Sequence, residues 1–308
     1  MKLISIVLPC HNEAENLPLL IPEIINKIPR KYDYEIICAD DGSSDETPSV
    51  IISLAKKNKK VKGVLLYRNF GHQAALRAGI KESHGDAVIT MDADFQHPPQ
   101  LLPKLIQRWE AGHDLVRTKK KVDPTSNLAM KVQRKIGYFL WQVMTDGMII
   151  PGGSDFRLMS KSIAQYIKRS HEREILLRGN VMLASKNPVT VPYEVAKRKH
   201  GKSSYSFNMF LNMFVRGFIS FSPKPLRIAF FLGLMLIALS VLFISYDIVV
   251  AILTGRKIIE GWTTVIFFVT LLNAFTILYL GILGEYIGVI FREVKKRPKF
   301  LIDKKINL

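Results

Sequence analysis

Two long uncharged segments near the C-terminus place the strongest constraint on the fold. Residues 228–246 contain no charged side chain, the apolar run continues past Asp247 to residue 253, and residues 261–284 are wholly uncharged. A helix that crosses a bilayer needs about 20 predominantly apolar residues. The two segments therefore predict two transmembrane helices, joined by a short connection.

The charge distribution predicts how these helices are oriented. The chain carries a formal net charge of +18, and residues 291–308 contain seven Lys or Arg against two acids. Because Lys and Arg are enriched on the cytoplasmic side of membrane helices, we expect an integral protein of the inner or plasma membrane with both termini in the cytoplasm. Cys10 and Cys38 are the only cysteines, which favours a reducing compartment over a disulfide framework.

The segment before the first span has a pattern of its own. Within residues 205–221, Phe and Met recur in a helical rhythm among Asn and Arg residues. A helix with one apolar and one polar face is typical of the membrane interface. We therefore expect an amphipathic juxtamembrane helix over 204–225; the alternative is that this helix packs against the globular domain.

The first 200 residues alternate short β-branched runs with helical patterns, which is typical of a parallel sheet with crossover helices. The predicted strands cover residues 4–8, 35–39, 63–66, 87–91 and 114–116, and the predicted helices cover 14–28, 46–58, 73–83, 99–111 and 126–144. The fold class is therefore α/β, with a Rossmann-like, mostly parallel sheet and flanking helices. We expect four parts: this domain over 1–203, the juxtamembrane helix over 204–225, a two-helix transmembrane hairpin over 226–291 and a basic tail over 292–308.

Polar side chains follow three of the predicted strands. Residues 9–13 (P-C-H-N-E) follow the first strand, residues 40–45 (D-D-G-S-S-D) the second, and residues 92–99 (D-A-D-F-Q-H-P-P) the fourth. Ligands of open α/β sheets bind at such strand ends, so we expect one crevice to collect all three segments. Acids that converge without paired bases repel one another unless a cation or ligand lies among them.

The D-x-D-x-Q pattern after the fourth strand predicts a metal site. Asp92 and Asp94 are two residues apart, so an extended backbone directs both carboxylates to one side, and Gln96 extends the row. Such oxygen ligands suit a hard divalent cation that also binds phosphate oxygens. The predicted metal ligands are Asp92, Asp94 and Gln96, and carboxylates leave Mg²⁺ and Mn²⁺ equally open.

These motifs, in this order across residues 5–205, resemble those of the inverting family 2 glycosyltransferases of the GT-A fold. With its two C-terminal spans, the sequence is similar within that family to the polyprenyl-phosphate glycosyltransferases. These include dolichol-phosphate mannose synthases and bacterial undecaprenyl-phosphate sugar transferases. The resemblance implies a GT-A catalytic domain with interfacial helices and two transmembrane α-helices.

The resemblance also implies a nucleotide-sugar site. Asp41 falls where the family contacts the base or ribose, and Asp92-Ala93-Asp94 matches the D-x-D that holds the nucleotide and the metal. The other residues that match nucleotide-sugar-binding positions are Pro9, His11, Glu13, Arg198, Lys202 and Ser203. The last three lie in a segment that resembles the family's R-x-x-G-x-S-K loop, where Ser204 replaces the final lysine.

A basic stretch is expected to hold the acceptor phosphate. Residues 117–135 contain seven Lys or Arg and a single acid, Asp123, which suits a phosphate at an anionic membrane surface. The alternative is a solvated basic face that only touches anionic lipid. The predicted acceptor-phosphate-binding residues are Arg117, Lys120, Arg134, Tyr138 and Arg157. Lys120 and Tyr138 stand where family members have Arg and Ser.

The block Ser154-Asp155-Phe156-Arg157-Leu158 resembles the S-D-F-R-L segment of the membrane-anchored subgroup, in which the acid is the proposed catalytic residue. The predicted catalytic residues are therefore Asp155 and, through the metal, Asp94. A lipid monophosphate is already an anionic nucleophile at neutral pH, so strong activation by a base is not required. Two roles stay open for Asp155: a general base, or a group that positions the acceptor or the sugar.

The expected reaction is inverting transfer of a sugar from a nucleotide-diphosphate sugar, such as UDP-glucose or a UDP-N-acetylhexosamine, to polyprenyl (undecaprenyl) phosphate at the cytoplasmic leaflet. The product would serve cell-envelope glycan modification. The alternatives are a membrane-anchored nucleotide-sugar-binding module and a processive polysaccharide synthase, whose Q-x-x-R-W motif differs in spacing from Gln107-Arg108-Trp109.

The residues also bear on two other kinds of partner, nucleic acid and a second copy of the chain. The basic segments carry no nucleic-acid recognition motif or aromatic stacking platform, so nucleic acid is not an expected partner. Gly281, Gly284 and Gly288 lie at small-residue spacing in the second span, which leaves packing against a second copy of the chain open.

Overall fold

The computed structural model describes residues 1–120, 153–170, 177–194, 224–255, 261–295 and 297–308. The predicted helix over 126–144 lies outside these residues, as does the predicted juxtamembrane helix apart from its last two positions. The chain divides into two compact units, one formed by Met1–Ser206 with Lys296–Leu308 and the other by Phe207–Lys295.

The first unit contains an eight-stranded sheet. Its strands are β1 (Leu3–Cys10), β2 (Asp33–Asp40), β3 (Val61–Leu66), β4 (Ala87–Thr90), β5 (Leu115–Lys120), β6 (Gly153–Ser160), β7 (Pro188–Tyr193) and β8 (Ile302–Ile306). The strand order is β7-β5-β6-β4-β1-β2-β3-β8. Strands β1 to β4 pair in parallel, and β7 is parallel to β5, whereas β6 is antiparallel to both of its neighbours and β8 is antiparallel to β3. The prediction of a mostly parallel α/β sheet is confirmed.

Helices cover both faces of this sheet. They are α1 (Leu17–Lys27), α2 (Thr47–Lys57), α3 (His72–Lys81), α4 (Leu102–Glu110), α5 (Lys161–Arg169) and α6 (Leu177–Leu183). In β1, Ile4, Ile6 and Leu8 join the apolar core on the side of α1 and α4, while Val7 joins the core on the side of α3 and α5. Strands buried on both faces carry near-continuous apolar runs, which is why the sequence predicts the first four strands well.

The C-terminal tail corrects the predicted division of the chain. Residues 292–308 were expected to form a separate basic tail, but Ile302–Ile306 is an edge strand of the sheet, with Ile306 opposite Gly63 of β3. A Cβ atom on Gly63 would approach the Ile306 side chain to 2.8 Å, so the glycine makes room for the strand. Ile302 and Ile306 pack against the core, and Lys305 Nζ lies 2.8 Å from a carboxylate oxygen of Glu82.

The second unit contains two long apolar helices, α7 (Lys224–Thr254) and α8 (Trp262–Val294). Their candidate membrane spans, Leu226–Thr254 and Val265–Val294, have mean hydropathies of 2.7 and 2.3. The most apolar windows of these spans are 6% and 0% buried within the protein, so their apolar side chains require an apolar surrounding. The structure confirms two long apolar C-terminal helices as candidate transmembrane helices, and it extends the second to Val294.

Candidate active site

The site forms where several strand ends meet at one edge of the sheet. In the parallel pairs, Cys10 of β1 is opposite Asp40 of β2, and Val7 is opposite Thr90 of β4. Strand β6 runs antiparallel to β4, so its first residues start at the edge where β4 ends. The hydroxyl of Thr90 donates to the backbone carbonyl of Asp155 at 2.5 Å, which fixes the start of β6 against β4.

The segment after β1 is anchored to the start of α2. The backbone N–H of Glu13 donates to Thr47 Oγ1 at 2.8 Å, and the Glu13 carboxylate accepts from Asn16 at 2.6 Å. Pro9 is buried within β1, whereas His11 is exposed, with its Nδ1 atom 3.2 Å from the carbonyl oxygen of Asp41. His11 is therefore accessible to a ligand at the rim of the site.

The Asp41 carboxylate holds the loop that leads into α3. Its two oxygens accept from the backbone N–H groups of Phe70 at 2.7 Å and Gly71 at 2.9 Å. Burial raises the pKa of Asp41, although these hydrogen bonds favour the ionised form. Gly42 has φ +60°, and a Cβ atom there would lie 2.4 Å from the carbonyl carbon of Arg68. Asp41 and Gly42 together set the position of this loop.

Two histidines hold the first acid of the D-x-D segment. Asp92 Oδ1 lies 2.9 Å from Nε2 of His72 in α3, and Asp92 Oδ2 lies 3.5 Å from Nε2 of His97. Burial opposes ionisation of Asp92, but the two imidazoles outweigh it and lower the pKa of the carboxyl group. The pKa of His97 is lowered, mainly because the ring is buried. The Nδ1 atom of His97 accepts a hydrogen bond from the backbone N–H of Asp92 at 2.8 Å. The neutral His97 ring then carries its proton on Nε2, 2.7 Å from the hydroxyl of Ser154.

The second acid of the segment lies in a tight turn. Asp94 is 7% exposed, and its Oδ1 atom accepts from the backbone N–H of Gln96 at 3.1 Å. Between them, Phe95 is buried in the left-handed region at φ +63°. Ala93 is buried beneath the turn, and the Gln96 side chain is half-buried.

The oxygen donors of this turn fit a divalent cation. Asp92 and Asp94 supply carboxylates, and Gln96 supplies an amide oxygen; Mg²⁺ characteristically takes one or two protein carboxylates together with substrate phosphates. In the part of the chain that the structure describes, no three His, Cys, Asp or Glu side chains group as a metal cluster.

Asp155 is the centre of a second buried polar group. One carboxylate oxygen accepts from Nη2 of Arg157, and the other accepts from Nε2 of Gln73 at 3.2 Å. Asp155 is 6% and Arg157 2% exposed, so this ion pair is buried. Alternation along β6 puts both side chains on the face that packs against α3, while Ser154 and Phe156 face His97.

The predicted acceptor-side residues on β5 border this group. Arg117 is directly opposite Arg157 in the antiparallel pair β5–β6, and its Nη1 atom lies 2.8 Å from the sulfur of Met182. Burial lowers the pKa of Arg117. Within the described residues, the buried Nε atom of Arg117 has no hydrogen-bond partner. Lys120 is the last residue of β5. Burial lowers the pKa of His97 most, and the positive charge of Lys120 lowers it further.

Residues 5–167 match the model of the family described as "Glycosyl transferase family 2". The chain belongs to glycosyl transferase family 2. It is therefore an enzyme, a glycosyltransferase, and the expected family is confirmed together with its mostly parallel sheet and two apolar C-terminal helices.

Full-length relatives of this glycosyltransferase share about a third of its residues. The SfII prophage-derived bactoprenol glucosyl transferase of Shigella flexneri is 33% identical over 98% of this chain and 97% of its own. The prophage bactoprenol glucosyl transferase homolog of Escherichia coli K12 is 32% identical over 98% of each. An uncharacterized glycosyltransferase of Synechocystis is 33% identical over 97% of this chain and 94% of its own. These alignments include the helices α7 and α8.

Among solved structures, a mycobacterial protein has a TM-score of 0.50 at 18% identity, over 71% of this chain and 73% of that one. This likeness concerns the fold of the glycosyltransferase.

The predicted site residues of the glycosyltransferase fall into two groups. The structure brings together the acids after β1, β2 and β4 with Asp155 and Arg157, whereas Arg134, Tyr138, Arg198, Lys202 and Ser203 lie outside the described residues. Sequence reasoning did not identify His72 and Gln73, which contact Asp92 and Asp155. The sequence feature that could have indicated them is their position: they are two polar residues directly after Gly71, at the start of α3, and α3 follows β3, which ends beside the site.

Proposed function

We propose that this glycosyltransferase transfers a sugar, with inversion, from a nucleotide-diphosphate sugar to a polyprenyl phosphate at the cytoplasmic leaflet. The observation that carries the proposal is the alignment of bactoprenol glucosyl transferases over nearly the whole chain, including both apolar helices. Bactoprenol is a polyprenyl lipid, and a lipid acceptor requires an enzyme that stays at the membrane. The names of these relatives favour glucose as the sugar and UDP-glucose as the donor.

The donor would bind at the ends of β1, β2 and β4. His11 is exposed beside Asp41, and Glu13 is half-buried in the same segment, so both can reach a nucleoside. Both carboxylate oxygens of Asp41 accept hydrogen bonds from the loop before α3. These contacts support an indirect role for Asp41, in which it shapes the nucleoside site. The diphosphate would lie near Asp92 and Asp94, and Arg198, Lys202 and Ser203, which lie outside the described residues, would also bind it.

Asp92, Asp94 and Gln96 would hold a divalent cation, which when bound stabilises the negative charge that develops on the leaving diphosphate. Without a cation, Asp92 and Asp94 would repel the diphosphate, because all of these groups carry negative charge. His72 and His97 hold Asp92, and the turn at Phe95 directs Asp94.

The acceptor phosphate would bind on the side of β5 and β6. The cross-strand pair Arg117 and Arg157 concentrates positive charge, and Asp155 neutralises only one of the two guanidinium groups. The buried Nε of Arg117, which lacks a partner among the described residues, needs an acceptor that a phosphate oxygen can supply. Lys120, Arg134 and Tyr138 would complete this site.

Asp155 would position the reacting groups in this proposal. Its carboxylate accepts hydrogen bonds from the Arg157 guanidinium and the Gln73 amide, and these contacts fix its position beside Arg157. The lipid phosphate needs no deprotonation by a base because its oxygens already carry negative charge at neutral pH. Asp155 then keeps Arg157 in place beside the incoming phosphate.

The C-terminal strand supports the proposed orientation. The chain leaves the first unit, forms the two candidate spans and returns to pair β8 with β3. Two crossings return a chain to the side it left, so the catalytic domain and both termini would share one compartment. The basic residues of the tail favour the cytoplasm.

A transfer assay tests the proposal. The full chain in detergent is given undecaprenyl phosphate, Mg²⁺ or Mn²⁺, and either labelled UDP-glucose, a labelled UDP-N-acetylhexosamine or labelled GDP-mannose, with Asp94→Asn as the blank. We expect one labelled lipid product, from UDP-glucose. Polymer without a lipid monosaccharide would favour a polysaccharide synthase, and donor binding without transfer would favour a binding module.

A further inference from the structure

The first turn of α3 joins the two acidic groups of the site. His72 lies 2.9 Å from Asp92, and the next residue, Gln73, lies 3.2 Å from Asp155. The two side chains also meet each other, with Nε2 of Gln73 3.4 Å from Nδ1 of His72. One hydrogen-bonded chain therefore runs from Asp92 through His72 and Gln73 to Asp155.

The orientation of the Gln73 amide follows from its neighbours. Its NH₂ group can donate to the Asp155 carboxylate and to Nδ1 of a His72 ring that carries its proton on Nε2. Its oxygen faces the backbone N–H of Leu177, the first residue of α6, at 3.4 Å. A flipped amide would direct its oxygen at the carboxylate, so these contacts select a single orientation.

We propose that Gln73 is a positioning residue of the active site. It fixes the Asp155 carboxylate and, through His72, links it by hydrogen bonds to Asp92, which is proposed to bind on the donor side. Arg157 donates to one oxygen of the carboxylate and Gln73 donates to the other, so the two donors together define the orientation of the Asp155 side chain. The inference rests on the proposed function, since it assigns Gln73 a part in the same transfer reaction.

The physical reason for an amide at this position is its neutral charge. A lysine or arginine at 73 would compete with Arg157 for Asp155 and add a cation that attracts the acceptor phosphate to the wrong place. A glutamine donates without altering the net charge of the Asp155–Arg157 pair. Its place on a helix that is anchored at Gly71 by Asp41 ties its position to the donor loop as well.

Two variants at position 73 separate this role from a structural one. Gln73→Met keeps the length of the side chain and loses all its hydrogen bonds, whereas Gln73→Glu keeps an oxygen for the N–H of Leu177 and loses the donor to Asp155. We expect both variants to lower kcat roughly tenfold or more, because small displacements of reacting groups are costly, with donor and acceptor KM values close to wild type. Gln107→Met is the matched control, since Gln107 is an exposed glutamine in α4, and it should leave kcat unchanged.

A double variant decides whether Gln73 acts through Asp155. If it does, Gln73→Met should add no further loss to Asp155→Asn, because the group it positions is already altered. Independent losses that multiply in the double variant overturn the inference, as does wild-type kcat in Gln73→Met or recovery of kcat in Gln73→Glu. Absence of any lipid-linked product from the wild-type chain would instead refute the proposed function itself.

Discussion

Arg117 and Arg157 lie directly opposite each other across the antiparallel strands β5 and β6. Like charges at such a position are destabilising, and of these two arginines, Arg157 forms an ion pair with the Asp155 carboxylate. Burial also lowers the pKa of Arg117, because a charged guanidinium is less favourable inside the protein than in water. A site that tolerates this cost is well suited to an anion.

The first prediction concerns Arg117. Arg117→Gln should raise the KM for the lipid phosphate by about tenfold to hundredfold, because a hydrogen bond to a charged group contributes about 1.5–3 kcal/mol. The KM for the nucleotide sugar should stay near wild type. Arg108→Gln on the exposed face of α4 is the matched control. A change confined to the donor KM would move Arg117 to the other substrate.

The second prediction concerns the metal ligands. Asp94→Asn should lower transfer roughly a hundredfold or more, because the cation supplies several kcal/mol of transition-state stabilisation. The variant should fold and partition into membranes like wild type, and a higher Mg²⁺ or Mn²⁺ concentration should recover part of the activity. The control is Asp303→Asn, an exposed acid on β8. Nearly full activity in Asp94→Asn would contradict the metal assignment.

Local sequence patterns predict the site residues that follow a strand, whereas Asp155 and Arg157 lie within β6 and are predicted only by the resemblance to the S-D-F-R-L block. Asp41, Asp92 and Asp94 come directly after apolar runs, so their convergence follows from the parallel sheet. The partners of these acids are distant in sequence: Gln73 and Asp155 are separated by 82 positions, and no local pattern relates them. Their contact depends on how α3 packs against β6.

Two of the strands missed by the sequence analysis, β6 and β8, were missed for different physical reasons. Strand β6 buries Ser154, Asp155 and Arg157, and these polar side chains interrupt the apolar pattern by which a buried strand is predicted. Each is buried at low cost because it pairs with another polar group of the site. Strand β8 has only Ile302 and Ile306 as apolar residues, and its pairing with β3 is not encoded locally.

The third prediction concerns a buried ion pair at the opposite end of the sheet. Glu35 on β2 accepts from Lys62 Nζ at 2.7 Å, Ser5 Oγ at 2.5 Å and the backbone N–H of His84 at 2.6 Å. Burial opposes its ionisation, but these donors outweigh burial and lower the pKa of Glu35 below the ordinary 4.5. Its ionised form therefore stabilises the fold above about pH 4.5, and this contribution is lost as the pH falls through the lower pKa of the folded state.

Glu35→Gln tests this linkage. At pH 7 the variant should be less stable by about 1–3 kcal/mol, because Lys62 loses its counter-charge. The difference from wild type should shrink as the pH falls from about 4.5 through the lower pKa of folded Glu35, where the wild-type carboxyl group also takes up a proton. Thermal melting of the full chain in detergent across this pH range measures both effects, with the exposed Glu46→Gln as the control. A difference that is constant with pH would show that charge is not its cause.

The fourth prediction concerns the way the C-terminal strand is locked to the sheet. The Asn307 side-chain amide donates to the backbone carbonyls of Ala55 at 2.8 Å and Val61 at 2.9 Å, and Asn307 itself has φ +57°, where asparagine is better tolerated than alanine. Asn307→Ala should therefore lower the free energy of unfolding by about 2–3 kcal/mol. Lys304→Ala, which removes an exposed side chain from the same strand, should leave it unchanged. A strand that is no longer held by Asn307 should detach from β3 more often and expose the C-terminal residues to protease. Equal proteolysis rates for the two variants would contradict the proposed lock.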